Sequence, residues 1–152
     1  MSLKEKLQND LTDAMRARDE VRSSTIRMVL TAIKNEEVAG KEARDLSDAE
    51  VITVLSREAK KRREAAEAFD QAGAKDRADA ERAEGVVIAD YLPKQLSEAE
   101  IKELIKGAIA ETGANSPAQM GLVMKSLQPK IAGKADGGTV SALVKAALAG
   151  GN

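Results

Sequence analysis

The chain has 152 residues, of which 43% are hydrophobic, and its formal net charge is −1. This length fits one average domain or two small ones. Cysteine and histidine are absent, which excludes a disulfide framework, a thiolate or imidazole catalyst, and the usual cysteine and histidine ligands of zinc and haem. We therefore expect no metal and no cofactor. Any enzymatic chemistry would have to use carboxylates or lysines.

The apolar runs of the sequence are too short to predict a membrane-spanning helix. The longest uninterrupted apolar run, for example residues 86–89, is far shorter than the roughly 18 residues that a membrane helix needs. Lys4, Glu5 and Lys6 lie where a signal peptide would have its apolar stretch. We expect a soluble, cytoplasmic protein with no membrane partner.

Residues 1–92 predict about four helices. Alanine, glutamate, lysine, arginine and leucine favour helix, whereas the aromatic residues typical of strands are nearly absent. Capping boxes of the form S-x-x-E begin at Ser2, Ser47 and Ser97. The third helix is expected from Asp48 to about Ala72 and the fourth from about Asp76 to Ala89, with a turn at residues 73–74 between them. The first helix is expected to bury one apolar stripe, which consists of Leu3, Leu7, Leu11, Ala14 and Met15.

The third helix carries the densest basic run of the chain, residues 57–63. Acidic residues lie close by, so an ion-paired helix in solvent is favoured over an RNA-binding patch. Arg62 is different because it falls on the apolar arc, where an unpaired charge is costly. In an antiparallel hairpin, Arg62 is level with the fourth helix near Glu81 and Glu84, and we predict a partly buried ion pair to one of them.

A composition change at Pro93 predicts a domain boundary. Residues 1–92 contain 17 basic and 20 acidic residues, whereas residues 93–152 contain 7 basic residues, all lysine, and 5 acidic ones. Proline disfavours helix at the preceding residue. We predict an amino-terminal domain, 1–92, and a carboxy-terminal domain, 93–152, with Pro93 as the hinge and Tyr91 as a packing anchor at the joint.

Residues 93–152 predict a three-helix bundle, because three segments share the same apolar spacing. Gly113 is expected to end the first of these helices, and Ser116 and Pro117 to begin the second. The fold class is therefore all-α, with an amino-terminal helical bundle followed by a three-helix bundle.

The loop at residues 133–138 is the best candidate for an anion site. Its glycines permit close approach to the backbone, it leads into a helix N-terminus, and Lys134 supplies charge. The alternative is a flexible connector with Asp136 or Thr139 as helix cap. The sequence of the loop, taken without any family resemblance, favours this alternative. We predict a phosphate-binding surface that consists of Lys125, Lys130, Gly133, Lys134 and Gly137. Lysines without aromatic residues would contact phosphates without reading bases.

Four stretches of sequence together resemble a known family. YLPKQLS at residues 91–97 resembles the hinge motif of the YqeY-like proteins, and MGLVMK at 120–125 with GKADG at 133–137 resembles the signature that they share with the tail of the amidotransferase subunit GatB. The amino-terminal half of the family is similar to AMRARD at 14–19, IRM at 26–28 and the segment 60–69.

The resemblance implies an α-helical protein whose carboxy-terminal domain is related to the tRNA-engaging part of the amidotransferase. The catalytic regions of that enzyme have no counterpart in the chain. The function expected is a non-catalytic, tRNA-associated accessory protein of translation, with no DNA partner. The alternative is an adaptor whose amino-terminal bundle docks a tRNA synthetase or amidotransferase without RNA affinity of its own. A carbon-nitrogen ligase that uses glutamine is the weakest of the three readings.

Overall fold

Helices joined by loops form the described part of the chain, which is residues 1–150 of a computed structural model. In chain order they are α1 (Leu3–Arg16), α2 (Glu20–Glu37), α3 (Asp48–Gln71), α4 (Lys75–Ala89), α5 (Glu98–Thr112), α6 (Met120–Ile131) and α7 (Gly137–Leu148). No strand occurs in this range, so the all-α prediction is confirmed. The chain divides into two compact units: unit 1 is Met1–Leu92 and contains α1 to α4, and unit 2 begins at Pro93 and contains α5 to α7.

All three predicted capping boxes are present. The side chains of Ser2, Ser47 and Ser97 each accept a backbone N–H bond from a glutamate three residues later, and that glutamate side chain accepts a bond from the backbone N–H of the serine. The capping boxes therefore mark where α1, α3 and α5 begin. Helices α3 and α4 begin and end within one residue of the predicted positions.

The core of unit 1 lies where α1 and α2 pack on each other and on the α3–α4 pair. Its most deeply buried side chains are Leu7, Ile26, Val29, Ile33, Val51, Leu55 and Ile88. The expectation for Met15 is wrong, since 44% of this residue is exposed. Met15 lies at the edge of the apolar arc of α1, about 120° around the helix from Leu3, and the helices packed on α1 leave that edge uncovered.

Unit 2 has a separate core between α5, α6 and α7. Its fully buried side chains include Val123, Leu127, Val140 and Val144. Gly113 ends α5 in the left-handed conformation, with φ of 70°, as predicted. Ser116 and Pro117 begin the next helical segment as predicted, and its first turn, Pro117–Gln119, is a 3-10 turn that leads directly into α6. Tightened turns of this kind are frequent at helix N-termini.

Candidate nucleic-acid interface

The lysines predicted to bind phosphate are distributed over α6 and the loop after it. Lys125 and Lys130 lie on α6, Lys134 lies in the α6–α7 loop, and all three are exposed. Five residues of helix separate Lys125 from Lys130 by about 140° around the axis. Lys130 therefore lies in the last turn of α6, next to the loop. Lys125 faces a different side of the helix.

The α6–α7 loop, residues 132–136, is held in place by the segment that precedes α5. The Gln95 side-chain amide donates to the carbonyl oxygens of Gly133 and Pro93, each at 2.8 Å. The Leu96 N–H donates to the Lys134 carbonyl at 2.8 Å, and the Lys134 N–H donates to the Ile131 carbonyl at 2.8 Å. The loop is therefore hydrogen-bonded at its centre to the segment before α5.

Gln95 and Leu96 were not among the residues predicted for this site. They belong to the YLPKQLS stretch, which is separated from Gly133 by 38 residues of sequence. No periodicity or spacing within either stretch indicates that the two lie together. The contact links two of the stretches that carry the family resemblance, and it holds the backbone of the loop at Gly133.

Asp136 caps the N-terminus of α7. Its carboxylate accepts hydrogen bonds from the Thr139 N–H at 3.1 Å and from the Thr139 hydroxyl at 3.0 Å. The first N–H groups of a helix have no partner within the helix and favour negative charge. One of these N–H groups, that of Thr139, is thus already bonded to Asp136. The negative charge of Asp136 also lies where an approaching phosphate would lie. Attraction of an anion to this loop depends on the neighbouring lysines.

The two glycines of the predicted site have different roles. Gly133 has φ of 72°, a left-handed conformation that glycine adopts without strain. Gly137 is the first residue of α7, and a Cβ atom at this position would meet nothing within 4 Å. Gly137 is therefore exposed, and a side chain would also fit at this position.

The lysines differ in their acidic partners. Lys130 Nζ lies 3.8 Å from Glu111 Oε2, and both side chains are about half exposed or more. Lys125 and Lys134 form no ion pair within residues 1–150. Exposed ion pairs contribute little, so all three lysines remain accessible to a phosphate.

The basic run on α3 is engaged with carboxylates. Arg57 lies 3.6 Å from Glu36, and Lys61 lies 3.0 Å from Glu58. This matches the ion-paired helix favoured by the sequence. The basic run therefore offers an RNA backbone fewer unpaired charges than its composition suggests.

Arg62 is buried within this run, with 7% of the residue exposed. Its Nη1 atom donates to the Glu58 carboxylate and to the Glu58 carbonyl, each at 3.1 Å. On α4, the Glu84 carboxylate lies 3.3 Å from Arg62 Nε. Glu84, rather than Glu81, is the residue of α4 that pairs with Arg62. Nε has no aligned hydrogen-bond acceptor among the described residues, so the Glu84 contact acts through charge alone.

The pKa of Glu58 reflects this environment. Burial raises the pKa, but hydrogen bonds from Lys61 and Arg62 outweigh burial and hold the pKa below its usual value. Glu58 is therefore ionised at neutral pH, and the cluster consists of charged groups that stabilise one another.

Tyr91 belongs to the core of unit 1 at its carboxy-terminal end, and Pro93 is the first residue of unit 2. The Tyr91 hydroxyl donates to Asp10 at 2.6 Å and accepts from Arg22 at 3.1 Å. Burial, together with the bond to Asp10, raises the pKa of Tyr91, and the same bond lowers the pKa of Asp10. Tyr91 thus anchors the end of unit 1 to α1 and α2, while hinge motion at Pro93 stays a prediction.

The described chain has neither a membrane-spanning helix nor an acidic metal-binding cluster. Within residues 1–150, no helix has the length and apolar character required to cross a membrane. In the same range, aspartate and glutamate form no group of three or more that could hold a metal ion.

These features define an all-α protein of two helical units, in which an anchored, lysine-bearing loop precedes the last helix. The family model described as Yqey-like protein matches residues 4–148, and the chain belongs to this family. It is 29% identical over 147 residues to the protein named Altered inheritance of mitochondria protein 41, mitochondrial, of Lachancea thermotolerans, with 93% of this chain and 76% of that protein covered. The protein of the same name from Clavispora lusitaniae is 31% identical over 129 residues, which cover 83% of this chain and 74% of the relative.

Proposed function

We propose that the chain is a non-catalytic accessory protein that binds the phosphate backbone of tRNA through unit 2. The observation that carries the proposal is the anchored α6–α7 loop. Gln95 and Leu96 bond the backbone of Gly133 and Lys134, so that the loop that carries the exposed Lys134 side chain is held in place. Backbone bonds of this kind reduce the conformational entropy that the loop would lose when a ligand binds.

The balance of charges also favours unit 2 as the part of the chain that binds RNA. Residues 93–152 have more basic than acidic residues, whereas residues 1–92 have the opposite balance. Unit 2 contains no arginine and no aromatic residue, so stacking of bases on an aromatic ring or on a guanidinium is not available to it. The resemblance of residues 120–125 and 133–137 to the GatB tail makes tRNA the RNA that we favour.

The absence of catalysis and the location in the cell are parts of this proposal. The sequence contains neither histidine nor cysteine, which leaves no imidazole base or thiolate nucleophile. Both the cytoplasm and the mitochondrial matrix contain tRNA. The two relatives are named as mitochondrial proteins, so we extend the expected location from the cytoplasm to either compartment.

Filter binding of bulk tRNA across a salt series tests the proposal. Each lysine removed in Lys130→Ala and Lys134→Ala is expected to weaken binding to all tRNAs and to lower the salt slope by about one unit. Arg63→Ala, which removes an exposed charge from α3, is the matched control and should change the slope much less. An unchanged slope in the double lysine variant would show that the site is wrongly assigned.

The alternative is an adaptor in which unit 1 docks a tRNA synthetase or amidotransferase and the chain has no RNA affinity. The same titration distinguishes the two, because the adaptor predicts no tRNA binding at any salt concentration. The adaptor is supported by a surface groove on unit 1, which is lined by Arg18, Arg27 and the exposed apolar residues Met15 and Val21.

A further inference from the structure

The turn between α1 and α2 has an arginine where glycine is usual. The Asp19 N–H donates to the Ala14 carbonyl and the Arg18 N–H to the Met15 carbonyl, which is the bonding of a Schellman motif. Arg18 therefore has φ of 58°, in the left-handed region. The end of α3 has the same pair of bonds, and there the equivalent position is Gly73, with φ of 74°. The chain thus uses glycine in one copy of the motif and a long basic side chain in the other.

Arg18 lines a surface groove of about 770 Å³ at this corner of unit 1. Met15 and Val21 also line the groove, and they are 44% and 47% exposed. Arg27 lies opposite on α2, where its Nη2 atom contacts the Met15 sulfur at 3.1 Å. Two exposed apolar side chains and two arginines therefore line the same groove.

The charges of the groove are not neutralised by the rest of unit 1. Arg18 and Arg27 form no ion pair with any carboxylate within residues 1–150. Glu20 is the one acidic residue that lines the groove. A guanidinium binds a carboxylate through two parallel hydrogen bonds, and methionine adapts its shape to an apolar partner.

We propose that this groove docks an acidic, amphipathic segment of a partner protein. Carboxylates of the segment would pair with Arg18 and Arg27, and an apolar side chain between them would cover Met15 and Val21. A nucleic-acid backbone fits less well, because it would leave the apolar side chains of Met15 and Val21 exposed. The site lies on unit 1 and does not depend on the tRNA site proposed for unit 2.

Binding of synthetic peptides to the full chain, followed by fluorescence anisotropy, tests the proposal. The probe is a labelled helical peptide of about 15 residues with leucines on one face and glutamates beside them. One control peptide has glutamine in place of glutamate, and another has serine in place of leucine. We expect both controls to bind about tenfold more weakly than the probe. Equal binding of the probe and the glutamine peptide would overturn the proposal.

Two variants assign the binding to this groove. Arg27→Ala and Arg18→Gly are each expected to weaken the probe several-fold, whereas Arg63→Ala on α3 should leave it unchanged. Arg18→Gly should at the same time raise the melting temperature, because glycine adopts the left-handed conformation without strain. Loss of binding in a more stable protein cannot come from unfolding. Retention of full affinity in both groove variants, or displacement of the probe by tRNA with loss of tRNA affinity in the same variants, would overturn the proposal.

Discussion

Replacement of Arg62 by alanine is expected to lower the free energy of unfolding by about 3–5 kcal/mol, the usual cost of removing one partner from a buried ion pair. The guanidinium is buried in α3 and bonds both the carboxylate and the carbonyl of Glu58. Without it, Glu58 keeps only Lys61 as a partner, and the Glu84 charge loses its neighbour. Urea unfolding followed by circular dichroism measures the change.

The Glu84→Gln variant is the matched control for Arg62. The Glu84 side chain is 26% exposed and its contact with Arg62 Nε lacks hydrogen-bond geometry. We expect this variant to cost no more than about 1 kcal/mol, as for ion pairs that solvent reaches. A loss of similar size for Arg62→Ala and Glu84→Gln would show that the pair between helices, and not the bond within α3, stabilises unit 1.

Replacement of Leu127 by alanine is expected to destabilise unit 2 by about 2–5 kcal/mol, because it leaves a cavity in a well-packed core. Leu127 is fully buried between α5, α6 and α7. Leu122 lies on the same helix with 52% of its surface exposed, so Leu122→Ala should change stability by less than about 0.5 kcal/mol. Denaturant unfolding of the two variants compares the same substitution at a buried and an exposed position. Equal losses would contradict the packing described for unit 2.

The fold was largely predictable because its signals are local. Each capping box lies within four residues of sequence, and the apolar spacing of each helix is visible within a few turns. The position of Glu84 opposite Arg62 could also be predicted, since the short turn at Gly73 sets which residues of α3 and α4 are level. Glu58 was missed as the closest partner of Arg62, because the sequence does not indicate which of several nearby carboxylates becomes buried.

The candidate sites were less predictable because they depend on contacts between distant segments. The bond from Gln95 to Gly133 joins residues 38 positions apart, and no pattern in either segment indicates it. The exposure of Met15 depends on how far the neighbouring helices cover α1. For the cap of α7, the sequence limited the choice of capping residue to Asp136 or Thr139. The structure shows that the Asp136 carboxylate caps the helix.

The most direct measurement of the central claim is the tRNA affinity of an Asp136→Asn variant across a salt series. Asparagine caps a helix as well as aspartate does, so α7 should keep its stability while a negative charge at the proposed phosphate site is removed. We expect tRNA to bind about threefold more tightly at low salt, with the gain shrinking as salt screens the charge. Glu64→Gln, an identical charge change at an exposed position of α3, should give a smaller gain. An affinity for Asp136→Asn equal to that of the unaltered protein at every salt concentration would contradict phosphate binding at the α6–α7 loop.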